Sequence, residues 1–347
     1  MHSRMTLGQL HRASAAIAAA SEGLGDAAFF GTSRTMFGFD PAVFDATLAD
    51  RGHRLTTLNF GLIPNPPTLT RVLANRLCEA HRAAGTRWRL LIVELAAEDW
   101  TINAASDGGV GAFEQAIRVM TLDPAAALRG REPGFLVAGR VFGYHAPFAV
   151  ASGLKKYLYE DLPPKRWVPP PPDWLAAFRR FADLYRPGER GDWRAESRGF
   201  VRPGSEAAST AYRDYVQIQS TAVSIERQRA DAIADGIIGM NISPEALASS
   251  IELIRELGRC PEHVILVMYP IRPTVRSIMP PEARHRRRDA LSTIARETGF
   301  EVVDLFEDPE LGPDQFQDGV HLTVTSGAQL FSRTLATRVA DALGHGP

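Results

Sequence analysis

Two short segments near opposite ends of the chain carry residue types that together perform acyl transfer. Gly31-Thr32-Ser33-Arg34 supplies a hydroxyl, and Asp318-Gly319-Val320-His321 supplies a carboxylate and an imidazole. A serine hydroxyl attacks a carbonyl efficiently when an adjacent base takes its proton and a third group orients that base, and folding can gather the three from distant parts of a chain. Neither pattern is specific alone. Asp50 and His53 repeat the Asp-x-x-His spacing at the end of an expected helix, where it reads as a solvated turn. Position separates the two cases. Ser33 follows the first expected strand and His321 follows the last, and an open α/β sheet binds its ligands beyond the carboxyl ends of its strands.

Short apolar runs alternate with helical patterns at both ends of the sequence, as in a parallel sheet covered by helices on both faces. Strands are expected at 27–30, 55–59, 89–94, 263–269 and 301–304. Asp40 with Pro41 signals a helix start, running to Arg51-Gly52. Further helices are expected up to Ala84, over 243–258, 281–298 and 325–343, and one over 6–23 covers the sheet. Right-handed crossovers then give a flavodoxin-like three-layer α/β sandwich with a five-stranded parallel sheet in the order 2-1-3-4-5. Between Trp100 and Gly239 the rhythm breaks, and four of the five tryptophans fall there with the Pro169-Pro170-Pro171-Pro172 run. Residues 1–99 and 240–347 are therefore assigned to the core. Residues 100–239 form a large, mainly helical insertion with a long helix over 206–235, serving as a lid or substrate-binding wall.

Bulk composition narrows the function classes. With 39 Lys+Arg against 40 Asp+Glu, the formal charge is −1, without the basic footprint of a nucleic-acid binder. Cys78 and Cys260 lie far apart with no Cys-x-x-Cys or Cys/His cluster, so both are expected as core thiols and no metal site is expected. No Gly-x-Gly-x-x-Gly or phosphate loop follows the first strand, which argues against a dinucleotide or other cofactor. The apolar stretch at 13–20 is too short and polar for a membrane span, and no signal peptide is evident, so the expectation is a soluble, cytoplasmic chain.

Around Ser33, Gly31 would permit a sharp turn, and backbone N–H groups there would face a developing oxyanion. The competing reading is that Thr32 and Ser33 simply cap the next turn. Gly61, after the second strand, offers a second N–H at the same edge. Arg34, Asn59, Glu94 and Arg272 are candidate substrate-binding residues. A guanidinium would hold a carboxylate or phosphate, and Glu94 would orient a substrate hydroxyl or bond to a loop, the latter preferred. Solvated surface arginines are the plainer alternative. The run Arg284-His285-Arg286-Arg287-Arg288 is expected on the outer face of a helix.

The stretch from Gly31 to Pro41, Gly-x-Ser-Arg-Thr-x-Phe-Gly-Phe-Asp-Pro, resembles the SGNH (GDSL-like) hydrolase superfamily, and in particular its DltD-like and alginate-acetylation-type branch. The resemblance covers roughly residues 25–99 and 243–343. It implies Ser33 as nucleophile, Gly61 as an oxyanion-hole donor within Asn59-Phe60-Gly61, and Asp318 and His321 as the rest of a triad. The family's Gly-x-Asn-Asp after the third strand is missing, since the chain reads Glu94-Leu95-Ala96-Ala97-Glu98-Asp99. Losing one oxyanion donor costs on the order of 3 kcal/mol of transition-state stabilisation, and Asn103 is a candidate substitute.

The expected function is a serine-dependent acyl-ester hydrolase or O-acyl(acetyl)transferase acting, without cofactor, on a glycan or a hydroxylated small molecule. A different class of reading is a non-catalytic module that binds a glycan or partner protein through the aromatic insertion.

Overall fold

The computed structural model describes residues 25–61, 67–96, 100, 238–316, 318–323 and 326–344. The expected N-terminal helix, nearly all of the insertion with its helix over 206–235, and Asn103 lie outside the described residues. Five strands, β1 (Ala27–Gly31), β2 (Thr57–Gly61), β3 (Leu90–Leu95), β4 (His263–Met268) and β5 (Glu301–Asp304), form one sheet in the order β2-β1-β3-β4-β5. Every pairing is parallel, as the sequence pattern predicts.

Seven α-helices accompany the described strands: α1 (Ser33–Gly38), α2 (Pro41–Asp50), α3 (Pro67–Ala84), α4 (Pro244–Leu257), α5 (Pro273–Arg276), α6 (Pro281–Thr298) and, after the last strand, α7 (Ser326–Gly344). Their ends follow local chemistry. Asp40 caps α2 by accepting from the N–H groups of Ala42 and Val43 at 3.0 and 3.3 Å, with Pro41 in the first turn. Ser243 caps α4 through Ala246 N–H at 3.3 Å, and Gly299 ends α6 in the left-handed region at φ +73°. The short helices α1 and α5 carry too little periodicity to stand out from sequence.

Strand alternation sorts the apolar side chains into two cores. Ala28, Phe30, Leu58, Leu91, Val93, Leu266 and Met268 face α3, α4 and α6. Ala27, Phe29, Leu90, Ile92, Ile265, Val267 and Val303 face α2 and α7, where Phe44, Leu48, Phe331 and Leu335 complete the layer. The result is a three-layer sandwich in which both faces of the sheet are dry.

Two expectations are corrected here. Cys78 on α3 and Cys260 after α4 are not separate thiols but a disulfide across a separation of 182 residues, their Cα atoms 6.1 Å apart. The two helices are neighbours on one face of the sheet, which spacing along the sequence does not reveal. The arginine run of α6 is not wholly an outer face either. Arg287 is buried, bonds Asp304 at 2.7 Å and lies over the Phe306 ring at 4.3 Å, while Arg286 bonds the carbonyls of Gly239 and Met240. His285 and Arg288 remain exposed.

No described helix is long and apolar enough to cross a membrane. A disulfide closing so long a loop restricts the unfolded chain. Replacing both cysteines by alanine is expected to lower stability by about 2–5 kcal/mol in urea unfolding without altering the native circular dichroism spectrum.

Candidate active site

The parallel register brings β1, β2 and β3 to a common carboxyl edge. Gly31 pairs with Gly61 there, and Glu94 sits one residue past Val93, the partner of Phe30. By alternation Gly31, Gly61 and Glu94 share the face occupied by Phe29, Asn59 and Ile92. The chain leaves β1 at Gly31, takes Thr32 as N-cap and enters α1 at Ser33. The Thr32 hydroxyl accepts from Arg34 N–H at 3.3 Å. Ser33 N–H has no partner among the described residues, as expected at the first position of a helix, and is available to an oxyanion.

The second half of the site is a pinned loop. Phe316 and Leu322 form an isolated antiparallel bridge, and Thr323 N–H bonds Gln315 O at 2.8 Å. Arg272 N–H bonds Gly319 O at 3.0 Å, tying the loop to the segment after β4. Within it, one Asp318 oxygen accepts from the N–H groups of Val320 and His321 at 2.9 and 2.7 Å. The other lies 2.8 Å from His321 Nδ1. The tight Asp-x-x-His turn thus orients both the carboxylate and the imidazole.

Across the edge, Ser33 Oγ lies 2.8 Å from His321 Nε2, joining residues 288 apart in sequence. With Nδ1 donating to Asp318, Nε2 is the acceptor for the serine proton. Burial disfavours charge on His321. The charge and hydrogen bond of Asp318, helped by the charge of Glu94, outweigh both burial and the opposing Arg34 guanidinium, holding the imidazole above its ordinary pKa. Burial likewise opposes the Asp318 carboxylate, but His321 and the two backbone N–H groups keep its pKa below the usual value. The side chains of His321 and Asp318 are 23% and 16% exposed.

The other sequence candidates divide by what they touch. Gly61 N–H donates to Asn59 Oδ1 at 2.8 Å, so it is already engaged, and a Cβ at Gly61 would strike the backbone of Met36. Its lack of a side chain lets α1 approach β2. Asn59 is buried and donates to the carbonyls of Thr35 and Phe39 at 3.0 and 3.1 Å, fastening α1 to β2 rather than facing a ligand. Arg34 is buried against Glu94, with Nε 2.8 Å from Oε1 and side chains 5% and 0% exposed, so neither is a surface group. Glu94 takes the loop-bonding role that was preferred over substrate contact. Arg272 is half-buried beside the loop that carries Asp318 and His321, and its backbone N–H bonds Gly319 O in that loop.

Gly31 also has a different reason from the one expected. It is not in a left-handed conformation. A Cβ there would collide with Thr35 Oγ1 and Glu94 Oε2, so the glycine is required for space. Thr32 caps α1, as the competing reading has it, but the bonds of Thr32 and Thr35 to Glu94 are not visible in local sequence, because that partner is 62 and 59 positions away. No group of three or more His, Cys, Asp or Glu side chains that could hold a metal occurs among the described residues.

No protein-family model matches the chain, and no curated protein matches it in sequence.

Asn59 provides a direct check on this division of roles. Asn59→Ala would leave the Thr35 and Phe39 carbonyls without those bonds and is expected to destabilise the fold by about 2–4 kcal/mol in urea unfolding. A variant of unchanged stability that only binds ester substrates less tightly would return Asn59 to the ligand-binding group.

Proposed function

We propose that the protein is a serine-dependent acyl-ester hydrolase or O-acyltransferase, with a glycan or a hydroxylated small molecule as the alcohol component. The observation that carries this reading is the unbroken chain from Ser33 Oγ through His321 to Asp318, with contacts of 2.8 Å at both links. The resemblance to SGNH hydrolases noted in the sequence agrees with it.

In this mechanism Ser33 Oγ attacks the acyl carbonyl carbon while its proton passes to His321 Nε2. The carbonyl oxygen becomes an oxyanion, to which Ser33 N–H donates. Collapse of the tetrahedral intermediate releases the alcohol, which takes the proton from His321, and leaves an acyl group on Ser33. Water or an acceptor hydroxyl then gives its proton to His321 and attacks the acyl-enzyme, and as the second tetrahedral intermediate collapses His321 returns that proton to Ser33 Oγ, freeing the serine. Asp318 holds the imidazole in one tautomer and stabilises the imidazolium formed in each half-reaction.

A second reading, a binding module retaining the fold, draws support from the oxyanion side. With Gly61 N–H bonded to Asn59 and no asparagine directly after β3, Ser33 N–H is the one donor identified among the described residues. Catalysis by this site needs a second donor, supplied by rearrangement of Gly61 or by another group. The Cys78–Cys260 disulfide favours an oxidising compartment over the cytoplasm expected from sequence.

Incubation with p-nitrophenyl acetate and a fluorophosphonate probe separates the readings. Turnover and labelling that vanish in Ser33→Ala support the enzyme, whereas a wild type inert to both supports the binding module. The general base must be neutral, and His321 is held above the ordinary imidazole value of about 6.5. The acid limb of kcat/KM should therefore lie above that pH, activity falling as His321 gains its proton. Asp318→Asn is expected to lower kcat by about 10³–10⁴-fold, measured on the same ester.

A further inference from the structure

Beneath the nucleophile turn lies a carboxylate that the acyl-transfer steps do not use. Glu94 projects from the end of β3 and its side chain is fully buried. Its Oε2 accepts from Thr32 N–H at 2.8 Å and Thr35 Oγ1 at 2.6 Å. Its Oε1 accepts from Thr32 Oγ1 at 2.7 Å and Arg34 Nε at 2.8 Å. One side chain thus bonds the residues immediately before and after Ser33, and reaches the next turn of α1.

The donor set is selective. A threonine hydroxyl can rotate to donate or accept, but Thr32 N–H and the Arg34 Nε–H can only donate. One of these obligate donors meets each carboxylate oxygen. Glutamine, with one oxygen and one NH₂ group, would set a donor against a donor in either orientation. Only a group accepting on both sides satisfies the turn, and burial makes an unmet donor costly. The missing Cβ of Gly31 supplies the space this arrangement occupies.

We propose that Glu94 is the positioning residue of the nucleophile, fixing the turn from Thr32 to Arg34 so that Ser33 Oγ meets His321 Nε2 and Ser33 N–H stays free for the oxyanion. The proposal rests on Ser33 being the nucleophile. Arg34 has a paired function: its guanidinium offsets the Glu94 charge close to where negative charge develops. His321 is faced by Asp318, Glu94 and Arg34, and the Glu94 charge raises its basicity while Arg34 opposes it.

The test compares wild type, Glu94→Gln, Glu94→Asp and Thr35→Val for fluorophosphonate labelling rate, kcat and KM on p-nitrophenyl acetate, and the pH profile of kcat/KM. The folded fraction is checked by circular dichroism. A displaced reactive group costs about 100-fold in rate, so Glu94→Gln is expected to lose about that much in labelling and kcat, with KM within about 3-fold. Its acid limb should move to lower pH, because a negative charge near His321 is gone. Glu94→Asp keeps the charge but is one methylene short, so it should lose rate without moving the limb. Thr35→Val removes one of the four bonds to Glu94 and should lose about 5-fold.

A folded Glu94→Gln that is labelled at the wild-type rate overturns the positioning role while leaving the nucleophile intact. Should that variant fail to fold, a folded Thr35→Val together with Glu94→Asp, both labelled at wild-type rate, does the same. A wild type neither labelled nor active overturns the nucleophile itself, and the positioning role with it.

Discussion

Three strands end side by side with Gly31, Gly61 and Glu94 on one face of the sheet, and the empty volume at the two glycines governs what can be built there. Side chains at those positions would collide with Thr35, Glu94 and the backbone of Met36. Their absence lets α1 settle against the end of β2 and lets a carboxylate slide under the turn that carries Ser33. Helix, turn and carboxylate then hold one another in place: Asn59 bonds two carbonyls of the α1 segment, and Glu94 bonds Thr32, Arg34 and Thr35. The serine is half-buried on a support that is itself buried and hydrogen-bonded, which suits a group whose direction matters more than its mobility.

Much of this was readable before any coordinates. Apolar runs and capping residues placed all five strands and the main helices to within a few residues, since a strand buried on both faces and an Asp-Pro helix start are local signals. The strand order followed from crossover handedness. Ser33, Asp318 and His321 were legible from their positions after the first and last strands, because a parallel sheet gathers the carboxyl ends of its strands along one edge. That argument needs no knowledge of side-chain contacts, and the three side chains do meet.

The supporting contacts were not legible in the same way. Arg34 read as a ligand-binding or surface cation and Glu94 as a loop-bonding or ligand-binding acid, because local sequence carries no trace of a partner 60 residues away. Gly61 read as an N–H donor from its position and from the resemblance of Asn59-Phe60-Gly61, whereas its N–H donates to the nearby Asn59 side chain. The cysteine pairing was hidden because the chain between Cys78 and Cys260 includes the whole insertion. Arg287 was hidden because a run of basic residues masks the one position that helical periodicity turns inward. Strand alternation did hold a usable clue: position 94 falls on the same face as Leu90 and Ile92, so its charge had to be met inside the molecule.

Charge accounting links the site to its support. Asp318 and Glu94 each favour the imidazolium form of His321, and Arg34 and burial oppose it. Asp318 contacts the imidazole directly and stabilises the cation as it forms. Glu94 and Arg34 act on the imidazole from beneath the turn with opposite signs, while the hydrogen bonds of Glu94 hold Thr32, Arg34 and Thr35 together. An uncompensated carboxylate there would repel a developing oxyanion, and an apolar residue would leave the Thr32 and Arg34 donors unmet. A buried ion pair contributes little net stability when desolvation is weighed against attraction. Its value here is geometric, since it supplies two acceptors to the turn from Thr32 to Arg34 without leaving a net charge beside Ser33.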